Sequence, residues 1–260
     1  METKSWQAFE GKIRVLKQHL QLLDLSLILA NNKAIESKDS GKSIREILGA
    51  KKGKHLQLNI PNKSKDISRT FITSRKKLNE HAIIELYRIY SDYIRNVIAE
   101  MMHKKPLLLI ELLKASELIS NKSKMGKKRY SIDAEDILKI GNFDSLVKEI
   151  SMQLYRNLEN ERSTTKLLDK MIKATHISIE ETLKKNALLY LEMRHLIIHN
   201  NTKADEKFLK MPNNELIIIN TQTKKIYLDY ETTNNAITTV FRLCKSIDNE
   251  FIGLIHGKKD

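Results

Sequence analysis

A chain of 260 residues that contains three prolines and eight glycines has few places to stop a helix. Proline removes a backbone donor and clashes with the preceding turn, and glycine makes helix formation more costly. Where both are scarce, an apolar period near 3.5 residues can run for a long way. The first thirty residues show it. Trp6, Phe9, Ile13, Leu16, Leu20, Leu23 and Leu27 step alternately by three and four, an a/d seam of three heptads. Such a seam suits a helix laid onto the body of the protein or a coiled coil between copies. It is short for an independent coiled coil, so packing onto the body is expected.

Residues 31–68 are rich in Lys, Ser, Asn and Gly and hold Pro61, the composition of a linker. Within it, Ser43–Leu48 suits a short helix and Leu56–Ile60 an extended piece. A long helix is expected from Ser68 or Thr70 to about His103, with Ile83, Leu86, Ile89, Tyr90, Tyr93, Val97 and Met101 on its buried stripe. Further helices are expected from Pro106 to about Ile119, over Asp133–Lys139, along Phe143, Leu146, Val147, Ile150, Leu154 and Leu158, and over about Ser163–Thr175.

Ser178 and Glu181 have the spacing of a capping box that would open the next helix. Asn200-Asn201-Thr202 would end it. Two β-rich runs, Glu215–Ile219 and Lys225–Asp229, flank a short polar loop and predict a β-hairpin. Ile237, Val240, Phe241, Cys244, Ile247 and Phe251 share one face of a last helix. The expectation is a mainly α fold, a helical body with a small β-hairpin before the C-terminal helix. It divides into an N-terminal helix plus basic linker, 1–67, and a helical domain, 68–260. With hydrophobic residues at 41%, there is material for a core.

The charge is lopsided. Residues 1–130 hold 27 Lys and Arg against 13 Asp and Glu, whereas residues 131–260 hold 19 of each. The first half thus carries the whole excess of +14. A polyanion, nucleic acid above all, suits such a surface, and so does a simple solubilising role for lysine. The basic run ending Lys127-Lys128-Arg129 is either a solvated turn or a loop that tracks phosphates. Cys244 is the only cysteine, which excludes an intrachain disulfide and disfavours a structural zinc. No apolar run approaches the roughly 18–20 residues of a membrane span, and the N-terminus opens an amphipathic helix, not a signal peptide. A soluble, cytoplasmic protein without a membrane partner or a cofactor is expected.

The chemistry concentrates in Arg194-His195-Leu196-Ile197-Ile198-His199, with Asn200 following. One permanent cation and two imidazoles within six residues meet the needs of RNA cleavage. A base takes the proton of the ribose 2′-OH, a cation stabilises the charged phosphorane oxygens, and an acid protonates the leaving 5′-oxygen. Histidine serves as base or acid near neutral pH, and arginine forks two donors onto a phosphate. His195 and His199 share a helix face at i, i+4 spacing. Arg194 and His199, at i, i+5, lie about 140° apart around an ideal helix and about 7.5 Å apart along it. One straight helix therefore cannot readily aim both at a single phosphate. Either the helix loosens at His199, or a second copy of the segment completes the site across a two-fold axis. The same residues also suit the C-terminus of a surface helix, where cations are favoured. A metal site on the two histidines lacks the glutamate of H-E-x-x-H and an evident third ligand.

Arg194, the polar residue His195 and the closing His199 resemble the R-polar-x3-H signature of the HEPN superfamily (higher eukaryotes and prokaryotes nucleotide-binding). The context is similar over 175–255: a motif that ends a helix, a following Asn, a short turn or hairpin, and a final helix. Glu85–Asp92, ELYRIYSD, is similar to the first core helix of some members. The resemblance implies a HEPN-like helical bundle, a homodimer with facing motif helices, and metal-independent endoribonuclease activity. It also implies a setting in toxin–antitoxin pairs or antiphage defence, with an antitoxin or defence-system protein as a further partner. In such a ribonuclease, His199 would be the general base, Arg194 the phosphate anchor and His195 a second acid/base or positioning group, with Asn200 and the basic run Lys127, Lys128 and Arg129 on the RNA. A non-catalytic HEPN module that binds RNA or protein is the alternative. A DNA-binding regulator is a weaker one, since no helix-turn-helix signature is present.

Overall fold

The computed structural model describes residues 2–36, 49, 64–105, 142–159 and 164–256. The elements expected at 43–48, 56–60, 106–119 and 133–139, and the basic loop with Lys127, Lys128 and Arg129, lie outside the described residues.

The protein is mainly helical. Its long elements are α1 (Lys4–Glu36), α2 (Ser64–Lys104), α3 (Phe143–Glu159), α4 (Thr164–Thr175) and α5 (Glu181–His199). A one-turn helix α6 (Glu206–Leu209), a 3-10 turn at Asn214–Leu216 and the long α7 (Tyr230–His256) complete it. Helix α2 is the hub: α1, α3, α5 and α7 all pack on it. Helix α7 also contacts α1 and α5, and α4 joins α3 to α5.

Periodicity explains the hub. The whole expected stripe of α2, from Ile83 through Met101, is buried. On α1, Trp6, Phe9, Ile13, Leu16 and Leu20 are buried against the body. There the seam stops: Asp24 takes the next inward place, and Leu23 is 36% exposed. Asp24 receives Nε and Nη2 of Arg75 at 2.8 and 3.1 Å, a two-pronged clamp between α1 and α2. Beyond it Leu27 and Ala30 pack on Phe71 and Ala34 in a satellite cluster.

The start of α1 is fixed from three sides. Thr3 accepts the Trp6 amide and donates to the buried Asp248 of α7, and Glu100 of α2 accepts the amides of Lys4 and Ser5. Trp6 and Phe9 then meet Tyr93 and Phe241, with ring centroids 4.9–6.4 Å apart. Burying each large side chain contributes about 1.5–3 kcal/mol. Tyr93 donates its hydroxyl to the Cys244 carbonyl at 2.9 Å. Cys244 is fully buried, and burial pushes its thiol up.

Two local expectations change. The capping box does not form: the helix-preceding residue is Glu180, without a side-chain cap. The Ser178 amide instead donates to Glu250 of α7, and the Glu181 carboxylate is drawn to Lys184, which holds it below the usual carboxylate range. The hairpin segments pair through one isolated antiparallel bridge, Ile219 with Ile226, and the Tyr227 amide bonded to the Ile218 carbonyl, while Lys225 bridges to Lys203 in the turn after the motif. Among the described residues there is no regular strand, because Asn214–Leu216 turns as 3-10 helix within the first expected strand.

Candidate functional site

Helix α5 is buried all round in its middle. Ala187, Leu188, Leu189, Tyr190, Leu191, Glu192 and Met193 are consecutive and all buried. A helix with no polar face belongs inside a body, and α5 is enclosed by α2, α4 and α7. It surfaces at the motif. Arg194 is half-buried, and His195, Ile198 and His199 are exposed, while Leu196 still points inward. The motif side chains thus lie where the C-terminal end of the central helix returns to solvent.

The helix remains α-helical through His199, with Asn200 as its C-cap. The loosened end that would let Arg194 and His199 converge within one chain is absent. His195 and His199 lie side by side, ring centroids 5.0 Å apart and planes tilted by 45°. Arg194 turns towards α2, its guanidinium carbon 5.0 Å from the centre of the Tyr87 ring. It forms no ion pair with a described residue, so its fork of donors stays available to an anion.

The chain leaves the motif through a tightly specified exit. The Leu196 carbonyl accepts both the Asn200 amide at 3.1 Å and the Thr202 amide at 2.9 Å. Asn201 and Thr202 both have left-handed backbones, φ 49° and 64°. Asparagine tolerates this conformation, but a β-branched threonine there is strained, at a cost of about 1–3 kcal/mol. The paired turn holds it: Ile226 donates to the Thr202 carbonyl at 2.9 Å and Ala204 to the Lys224 carbonyl at 2.8 Å. Asn200 donates its side-chain amide to Asp205 at 3.2 Å, and Asp205 in turn accepts the Phe208 amide to cap α6. Beside His195 lies a small recess bounded by Glu192, Asp205, Lys207, Phe208 and Met211. The buried Glu192 faces Lys207 across 3.4 Å.

The motif residues Arg194, His195, His199 and Asn200 therefore lie together on one edge. Sequence reasoning missed Tyr87, Asp205, Glu192 and Lys207. Tyr87 lies within the ELYRIYSD segment, but nothing in that segment ties it to the motif, and its neighbours Tyr90 and Tyr93 are core. Asp205 and Lys207 reach the site only through the turn after the motif. Elsewhere on α2, Arg95 is bonded to Asp92, and His103 faces Asp144 at 3.3 Å. Among the described residues no group of three or more His, Cys, Asp or Glu could hold a metal, and no helix is long and apolar enough to cross a membrane.

Family models, curated proteins and solved structures give no match to this chain.

Proposed function

We propose that the protein is a metal-independent endoribonuclease of the HEPN type, with a HEPN-like bundle as its fold. One observation carries the reading: the paired, exposed His195 and His199 sit where a buried helix surfaces, beside an Arg194 held on an aromatic face and paired with no carboxylate among the described residues. In the reaction His199 takes the 2′-OH proton as the new O–P bond forms to the adjacent phosphorus. Arg194 stabilises the negative oxygens. The bond to the 5′-oxygen breaks, and that oxygen gains a proton from the acid, for which His195 of the same or the facing copy is suited. The products are a 2′,3′-cyclic phosphate and a 5′-hydroxyl.

Because α5 is helical through His199, Arg194 and His199 of one chain diverge. A two-fold homodimer supplies the missing geometry by setting the Arg194 of one protomer against the His199 of its partner. A toxin or antiphage effector, silenced by an antitoxin or defence-system protein, is the setting such an activity suits. Expression in a host tests the proposal. Growth arrest by wild type, absent for Arg194→Ala and His199→Ala at equal protein level, is the expected result. Equal arrest by all three would point to a non-catalytic role in binding RNA or protein.

A further inference from the structure

Helix α1 carries a second apolar seam, on the side away from the body. Val15, Leu22 and Leu29 recur every seven residues and Leu25 falls between the last two, with exposures of 64, 64, 58 and 55%. Extended towards the N-terminus the same register meets Gly11 and Ala8. A Cβ at Gly11 would meet nothing within 4 Å, so the protein's own packing does not call for a glycine in this helix. Glycine costs a helix interior about 1 kcal/mol relative to alanine, and at a seam position it lets another backbone approach closely. The period of 3.5 and the narrow width are those of a coiled-coil seam, not of the broad apolar face that lies on a membrane. Gln18 and Asn32 occupy seam positions on either side of the leucines, Ser26 borders them, and no aromatic residue is present on this side.

The flanks decide the partner. From residue 11 to 35 the only carboxylate of α1 is Asp24, which is buried and clamped by Arg75. The exposed surface holds Arg14 and Lys33, neither paired with a described residue. A second copy would set cation against cation, which disfavours self-association through this seam. We propose that the outer face of α1 docks an amphipathic helix of another protein, with a leucine-type heptad seam and glutamate or aspartate at the flanking positions. This docking site is independent of the ribonuclease reading.

The test titrates the full-length protein against two fluorescein-labelled four-heptad peptides with the same leucine seam, one flanked by Glu and the other by Lys. Each peptide is kept below the concentration at which it associates with itself. The Glu-flanked peptide should bind saturably and less tightly as salt rises. Leu22→Asn with Leu29→Asn should weaken it at least about tenfold and Arg14→Glu about threefold, while the melting temperature stays that of wild type. Absence of saturable binding, or equal binding of the Lys-flanked peptide, overturns the proposal. So does a dimer that the double variant dissociates in sedimentation, which would assign the seam to a second copy. Binding to phosphatidylserine vesicles without binding to the peptide would assign it to a membrane. A lowered melting temperature in the double variant, again without peptide binding, would assign it to the protein's own chain.

Discussion

Tyr87 offers a graded test of how Arg194 is positioned. The guanidinium lies 5.0 Å from the ring centre, and both residues are half-buried. A cation–π contact is worth about 0.5–1 kcal/mol when exposed and about 2 kcal/mol when desolvated, so about 1 kcal/mol suits this setting. If that contact holds Arg194 in the geometry the transition state needs, losing it lowers kcat/KM about fivefold. Tyr87→Leu removes the ring face, whereas Tyr87→Phe keeps it and removes only the hydroxyl. The assay is cleavage of a fluorogenic RNA under single-turnover conditions, with thermal unfolding measured on the same preparations. The Leu variant should lose about fivefold and the Phe variant less than about twofold. Full activity in Tyr87→Leu, or equal loss in both variants, would refute the role given to the ring.

Two further outcomes follow from the geometry. If Arg194 and His199 act across a two-fold axis, mixing inactive Arg194→Ala with inactive His199→Ala and allowing subunit exchange should restore activity, up to about a quarter of wild type. A mixture that stays inactive despite proven exchange would place the site within one chain. Burial raises the Asp248 carboxyl above its ordinary value of 3.8, and its Oδ2 has no hydrogen-bond partner among the described residues. A raised folded pKa means that the stabilising protonated form is fully present below the unfolded value and lost as pH rises through the folded one. Asp248→Asn keeps an acceptor for Thr3 and cannot ionise. It should be at least as stable as wild type at pH 7 and show a flatter dependence of stability on pH above 4, by urea unfolding; a variant much weaker at pH 7 would contradict this.

What could be read in the sequence was what periodicity controls. The buried stripe of α2 and the core face of α7 follow from steps of three and four, because burial of one face selects those positions whatever the partner. The α1 seam was legible only to Leu20, where the body beneath the helix gives way to the Asp24–Arg75 clamp, a contact between residues 51 apart that no local pattern signals. Capping went astray at Ser178 for the same reason: its amide is claimed by Glu250 from a distant helix. The hairpin lost its strands because turn residues at 213 and 214 curl the chain before pairing begins. At the candidate site, Arg194, His195 and His199 stand out in the sequence by residue type, spacing and resemblance. Their supports, Tyr87 and Asp205, could not, since they reach the motif through packing of α2 and the left-handed exit at Asn201 and Thr202.

The most direct measurement is cleavage of purified RNA by purified protein in excess EDTA, with the ends of the products identified. Wild type should yield 2′,3′-cyclic phosphate and 5′-hydroxyl termini at an undiminished rate in the chelator, and His199→Ala should yield none. Cleavage abolished by EDTA, 5′-phosphate termini, or an unaltered rate in His199→Ala would contradict the account.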